Sequence, residues 1–234
     1  MLLQVAVSKI NKYATAESGD TLEMVERPHG GISFVMVDGQ RSGRSAKRIS
    51  NIVARKAIGL LAEGVRDGAA ARAAHDYLYT HRQGKVSATL NIVSVDMVSR
   101  TLVLCRNSHC PIYLLDAGGL RTLDEPARPV GIYRHTRPVV VELPLQAPLT
   151  AVVFTDGLLS AGVRRGKSLD IPALLQTLSP TGEAPAQEVA RSLFEAAYEL
   201  DEHRPTDDIS VLVVSLLRKT VQDNSRHLQL TFPL

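Results

Sequence analysis

The chain has no tryptophan, and aromatic residues make up only 4% of it. That leaves little for a surface that stacks unpaired bases. Charge of one sign is also lacking: 27 basic residues against 24 acidic ones leave a formal net charge of +3, spread along the chain. Such a balance offers no electrostatic footprint for nucleic acid or an anionic membrane. No apolar run approaches the roughly 20 residues of a membrane helix. The start, Met1-Leu2-Leu3-Gln4, lacks the basic region and apolar core of a signal peptide. Only two cysteines occur, Cys105 and Cys110, in an apolar stretch and without CxxC spacing. They read as buried thiols in a reducing compartment rather than a disulfide or a metal pair. A cytoplasmic protein that contacts neither nucleic acid nor membrane is the expectation.

What is present is a large apolar fraction, 44% of 234 residues, enough for a full core. Residues 2–8 alternate as a strand does. Residues 23–27 and 32–37 read as partner strands around the turn Pro28-His29-Gly30-Gly31. Residues 45–61 form the clearest helix, with Ile49, Ile52, Val53, Leu60 and Leu61 at helical spacing and Arg48, Arg55 and Lys56 on the wet side. A second helix spans 69–81, with Tyr77 and Leu78 on one side and His75 and His81 on its surface. Residues 86–95, 101–106, 112–116 and 120–123 are short strands spaced as antiparallel hairpins. Further strands follow at 139–143, 151–154 and 209–217, with a third helix at 185–200. No linker and no repeat divides the chain. Both faces of the sheets must be covered, which predicts an α+β protein built as an antiparallel sandwich with helices outside. Residues 219–234, polar until 228, are expected to be a separate tail, an extra edge strand or a docking segment.

Four acidic clusters punctuate this pattern: Ser18-Gly19-Asp20, Val37-Asp38-Gly39, Thr155-Asp156-Gly157 and Pro205-Thr206-Asp207-Asp208. The second and third end apolar runs, and the fourth begins one. Any single Asp-Gly pair reads as a turn. Taken as an ordered set on neighbouring strands, the carboxylates would converge. An all-oxygen set suits Mg²⁺ or Mn²⁺ and poorly suits zinc. The pattern points to a two-metal hydrolase.

Two further motifs, Ser87-Ala88-Thr89-Leu90 and Asn107-Ser108-His109-Cys110-Pro111, and the continuation of the fourth cluster as Asp207-Asp208-Ile209-Ser210-Val211 complete the order across residues 2–217. The whole resembles the SpoIIE-like branch of the PPM metal-dependent serine/threonine phosphatases. The resemblance implies an αββα sandwich over residues 1–218, with a pair of Mn²⁺ or Mg²⁺ ions at one end of two sheets. It implies Asp38 as the carboxylate shared by both ions, with Asp20 and the Gly39 carbonyl on the second ion. Asp156 and Asp207 fall to the first, and Asp38 and Asp156 are the residues most directly tied to catalysis. Two cations sharing a water can supply the nucleophile that attacks a phosphoserine or phosphothreonine in line.

Two departures from the branch stand out. Gln40 replaces a histidine that some branches use to protonate the leaving group, and Arg41 stands where a small residue is usual. Arg41, Arg44 and Arg204 are candidates to grip phosphate, together with the amides that open the helix beginning at Ser45. Asp208 either caps the last strand or contributes to the site. For His109 a structural hydrogen bond is expected. Arg41, Arg44, Lys47 and Arg48 read equally as a solvated face or as an attractor of a phosphorylated protein. The implied substrate is a phosphorylated signalling protein of a partner-switching pathway, an anti-sigma-factor antagonist or a stressosome component. The alternatives are a phosphatase fold that binds a phosphoprotein without cleaving it, with Arg41 replacing metal charge, and a hydrolase of small phosphoesters.

Overall fold

Strands whose residues alternate between two apolar faces need a layer of core on each side. In the computed structural model, which describes residues 1–219 and 225–231, three layers of core separate two sheets and two sets of helices. The strands are β1 (Leu2–Ile10), β2 (Asp20–Glu26), β3 (Gly31–Gly39), β4 (Ala88–Asp96), β5 (Thr101–Asn107), β6 (Ile112–Asp116), β7 (Gly119–Leu123), β8 (Val139–Pro144), β9 (Leu149–Phe154) and β10 (Ile209–Leu217). The helices are α1 (Gly43–Ala62), α2 (Asp67–Arg82), α3 (Gly157–Ser160), α4 (Ile171–Leu178) and α5 (Ala186–Leu200). One five-stranded sheet runs β1-β10-β9-β6-β7 and the other β2-β3-β4-β5-β8, with every described pairing antiparallel. This is the expected αββα sandwich.

Alternation along β3 shows how the layers divide. Val35 and Val37 pack with Val53, Ala57, Ala74 and Leu78 of the α1–α2 pair. Phe34 and Met36 face the other way, into the core between the sheets, against Leu114, Val153 and Leu212. Behind the second sheet, Val189, Leu193 and Ala197 of α5 and Leu175 of α4 cover Val152, Phe154 and Val213.

Four expectations are corrected. Tyr77 does not share the buried side with Leu78; it is 47% exposed and stacks on His81, while Ala70, Ala71, Ala74 and Leu78 form the face of α2 that packs with α1. His75 is buried, not on the surface, and its Nδ1 accepts the Gly131 N–H at 3.0 Å. The β4–β5 and β6–β7 hairpins form as expected, but residues 108–111 between them cross from one sheet to the other. Helices α3 and α4 went unassigned in the sequence. The signal for α4 was Asp170, whose Oδ1 caps the Ala173 N–H at 3.0 Å, followed by Pro172 in the first turn. Both cysteines are free and buried, and burial pushes each thiol up to about 12. In the tail, residues 225–231 carry no regular secondary structure; residues 220–224 and 232–234 lie outside the described residues.

Candidate functional site

The rows of side chains that face the space between the sheets end in polar groups at one edge of the sandwich. On β3 the row Phe34-Met36 continues to Asp38. On β10 the row Leu216-Val214-Leu212 continues to Ser210. On β9, Ala151 and Val153 lead to Thr155. Strand pairing places Asp20 of β2 directly opposite Asp38 of β3. Asp20 then reaches across to the other sheet: its Oδ2 accepts the Ser210 hydroxyl at 2.6 Å and the Thr155 hydroxyl at 3.0 Å. Its carbonyl oxygen is held from outside by two lysines, Lys9 Nζ at 2.7 Å and Lys47 Nζ at 2.6 Å. Burial and the neighbouring Lys47 lower the Lys9 ammonium to about 8.

Glycine is required at two of the acidic turns by close packing. A Cβ on Gly39 would lie 2.1 Å from the Ala46 carbonyl oxygen, so α1 can begin against the end of β3 only if this residue has no side chain. A Cβ on Gly157 would lie 2.0 Å from the Asp208 carbonyl oxygen, which fixes the turn after β9 against the entry to β10. Asp156 and Asp207 are thereby brought to the same opening as Asp38.

The opening is a cleft lined by Asp38, Gly39, Asp156 and Asp207, with Lys12, Gln40, Arg41, Thr89, His109 and Pro129 around them. Burial raises the Asp38 carboxyl to about 9, reinforced by the negative charges of Asp20, Asp156, Asp207 and Asp208. Burial likewise raises Asp20 to about 7 and pushes Asp207 upward. Five carboxylates thus sense one another at one end of the sandwich.

Asp208 has a different part. It is buried, its Oδ2 accepts the Gly19 N–H at 2.8 Å and its Oδ1 the Lys12 N–H at 2.9 Å. Both oxygens staple the β1–β2 connection to β10, and Asp208 is not among the residues lining the cleft. Of the three arginine candidates, Arg41 lines the cleft, whereas Arg44 and Arg204 do not. Arg204 lies over the Tyr13 ring, 5.4 Å from its centroid. Lys47 is not part of a solvated basic face, being occupied with Asp20 and with the Thr21 hydroxyl at 3.2 Å. Gln40 clips its loop to the start of β4, its N–H donating to the Ser87 carbonyl at 3.0 Å and its Oε1 accepting the Ser87 N–H at 3.2 Å.

His109 is the main residue whose place the sequence did not reveal. It sits on the 108–111 crossing, which Arg106 braces by donating to the Ser108 carbonyl at 2.6 Å and to the Glu125 carbonyl. Asn107 adds a bond to the Arg128 carbonyl at 2.9 Å. The imidazole is 60% exposed, with Nε2 3.6 Å from Asp156 Oδ2, and makes no structural hydrogen bond among the described residues. Lys12 was missed as well, since nothing in its local sequence marks a cleft residue. Only the β1–β10 pairing carries it there.

Among the described residues, no three His, Cys, Asp or Glu side chains are closed up into a ligand shell. The donor set nevertheless suits divalent cations. It is all oxygen, its carboxylates repel one another, and Asp20 Oδ1 is buried without a hydrogen-bond partner. A buried acceptor left unpaired beside like charges is costly unless a cation meets it.

Two antiparallel sheets between helices, with carboxylates from both sheets meeting at one edge, define the class of PPM metal-dependent protein phosphatases. The chain belongs to the SpoIIE family of that class: the family model described as Stage II sporulation protein E matches residues 28–217. A direct search of curated proteins finds no match. Among solved structures, the fold is similar to the PP2C phosphatase domain with a regulatory fragment of SpoIIE from Bacillus subtilis. That likeness has a TM-score of 0.79 at 20% identity and covers 92% of this chain and 63% of that one, so this chain spans less than two thirds of that protein. The phosphatase domain of the same protein alone gives a TM-score of 0.70 at 19% identity, over 97% and 98% of the two chains. RsbX in complex with magnesium gives 0.70 at 16% identity, over 92% and 95%.

Proposed function

We propose that this chain hydrolyses phosphoserine or phosphothreonine on a signalling protein, with two Mn²⁺ or Mg²⁺ ions held by Asp20, Asp38, the Gly39 carbonyl, Asp156 and Asp207. The observation that carries this reading is the cross-sheet meeting of Asp38, Asp20, Asp156 and Asp207, in which each carboxylate raises the charge burden of Asp38. Two similar structures are described with such ions, RsbX with magnesium and the catalytic domain of PstP with two manganese ions. Bound here, the ions would activate a water and offset phosphoryl charge.

The chain's own residues do the rest. Asp20 is oriented by Ser210 and Thr155, so its free Oδ1 is the atom available to a cation. Lys9 and Lys47 hold its backbone and supply positive charge behind it. Arg41 and Lys12 flank the opening and can take phosphoryl oxygens. His109, which like Gln40 lines the cleft, offers a ring nitrogen to the phosphoryl or leaving oxygen. The family membership supports a phosphorylated signalling protein as substrate, an anti-sigma-factor antagonist or a stressosome component.

The test is hydrolysis of a phosphoserine peptide and a folded phosphoprotein in EDTA, Mg²⁺ or Mn²⁺, comparing wild type with Asp38→Asn and Asp156→Asn. Turnover that needs the metal and disappears in both variants is expected. A second reading, a module that binds phosphoprotein without cleaving it, is favoured by Arg41 in the cleft. Metal-loaded wild type that binds both substrates and turns over neither would select it.

A further inference from the structure

Beside the acidic cleft lies a second cavity of about 290 Å³ with the opposite charge. Its polar lining is Arg41, Arg48, Arg82 and Lys85, its apolar floor is Ile49 and Val86, and no carboxylate lines it. Among the described residues, none of these four cations makes an ion pair or a side-chain hydrogen bond. Other arginines, such as Arg27, Arg121, Arg165 and Arg191, are paired. The Arg82 Nε is buried and has no acceptor. Ser45, in the first turn of α1, also lines the cavity, and that turn has neither a side-chain cap nor an acidic residue. No acidic side chain in that turn offsets the four cations.

The two cavities are built to work together. Gln40 and Arg41 line both of them. Arg41 is held at a φ of 78°, a conformation uncommon for a side chain of its kind. The reciprocal Gln40–Ser87 hydrogen bonds tie that loop to the segment that carries Lys85 and Val86. An unpaired cationic cavity repels itself, and what relieves it is an anion.

We infer that this cavity is a subsite for a second anionic side chain of the phosphoprotein, a carboxylate or an additional phosphate, presented beside the phosphoryl group undergoing hydrolysis. The inference rests on the phosphatase reading for its substrate, but the cavity's preference for an anion can be measured without turnover. The guanidinium forks of Arg48 and Arg82 suit a planar or tetrahedral oxyanion, and Lys85 adds a mobile charge at the rim.

The experiment uses phosphoserine peptides in which a single glutamate, or a second phosphoserine, is walked along an otherwise neutral flank. Wild type and the double variant Arg48→Gln/Lys85→Gln, whose two positions are exposed, are compared in kcat/KM. Binding of the same labelled peptides in EDTA is read by fluorescence anisotropy. At one spacing, wild type should favour the anionic flank about tenfold, as two surface charge contacts of ordinary strength together supply. The preference should fall towards one in the double variant and in 0.5 M salt. No preference at any spacing, or one the double variant keeps, overturns the subsite. Inorganic phosphate at a concentration that spares binding of the neutral peptide should remove the preference for the anionic flank; a preference that it leaves intact also overturns the subsite. A binding preference lost in the double variant, with no turnover in any metal, would sustain the subsite while the phosphatase reading fails.

Discussion

At one end of β3, Ser33 sits in a buried knot with Ser94 of β4, Asp67 of α2 and Arg27 at the end of β2. At the other end, about 17 Å along the strand, Asp38 faces Asp20, with Asp156 and Asp207 across the cleft. Both ends bury carboxylates, but they are compensated in opposite ways. Arg27 Nη1 pairs with Asp67 Oδ2 at 3.0 Å and reaches Ser33 and Ser94, each at 3.3 Å, while its Nη2 donates to the Val65 carbonyl at 3.1 Å. Ser33 and Ser94 bond each other at 2.6 Å, and Ser94 also donates to Asp67. Every charge there has a partner. At the Asp38 end the carboxylates have each other, two hydroxyls and a buried oxygen with no partner. A satisfied network holds α2 onto its sheet; an unsatisfied one is held ready for a ligand.

The contrast can be broken from either side. Asp38→Asn should lower phosphopeptide turnover about 10³-fold, the equivalent of several kcal/mol of charge stabilisation. Yet in EDTA the variant should melt at the same temperature as wild type or higher, because an amide can never acquire the charge whose burial beside Asp20, Asp156 and Asp207 is costly. Asp67→Ala should do the reverse. It strands the buried Arg27 guanidinium, so urea unfolding should show a loss of about 3–5 kcal/mol, and it touches no residue of the cleft. A stable Asp67→Ala protein would sink the comparison.

Asp208 stands between the two cases, a carboxylate of the acidic edge that is satisfied. Asp208→Ala leaves the Gly19 and Lys12 amides without acceptors and should cost about 1–3 kcal/mol, read in the same urea titration. Its effect on turnover should follow the displacement of Asp20.

The last expected effect is in pH, and it is read from the metal-free protein. Asp20 at about 7 and Asp38 at about 9 are raised by burial above their ordinary carboxylate value of 3.8. The folded protein therefore keeps protons that the unfolded chain has released. In EDTA, stability should be greatest near pH 4 and fall as pH rises towards 9. Mg²⁺ or Mn²⁺ should raise the melting temperature more at pH 8 than at pH 5, since the ions compete with those protons. An EDTA melting temperature that does not fall over this window would remove the argument that these carboxylates burden one another.

Much of the site was legible because it was written in residue type. Asp20, Asp38, Asp156 and Asp207 were recognisable as an ordered set of carboxylates that would converge, and the strands around them by their alternation. His109, Lys9 and Lys12 were not legible. Each is an ordinary polar residue at a strand end or on a connection, and its place depends on which sheet the next strand joins. Lys47 was misread for a similar reason: a basic residue in the first turns of a helix looks solvated until the helix is docked on Asp20. His75 was misread because its buried partner, the Gly131 N–H, lies 56 residues away.

The sequence by itself determined the strands, the three long helices, their order and the chemistry of the acidic edge, because hydrophobic period, turn residues and carboxylate content are local properties. Only the tertiary structure decided that Asp20 lies opposite Asp38, that Asp208 is a staple, and that the loop after β3 joins the ends of α1 and α2 around a basic cavity. Those outcomes follow from strand register, from the crossing between sheets and from close packing at Gly39 and Gly157. All of these are long-range matters that no stretch of neighbouring residues encodes.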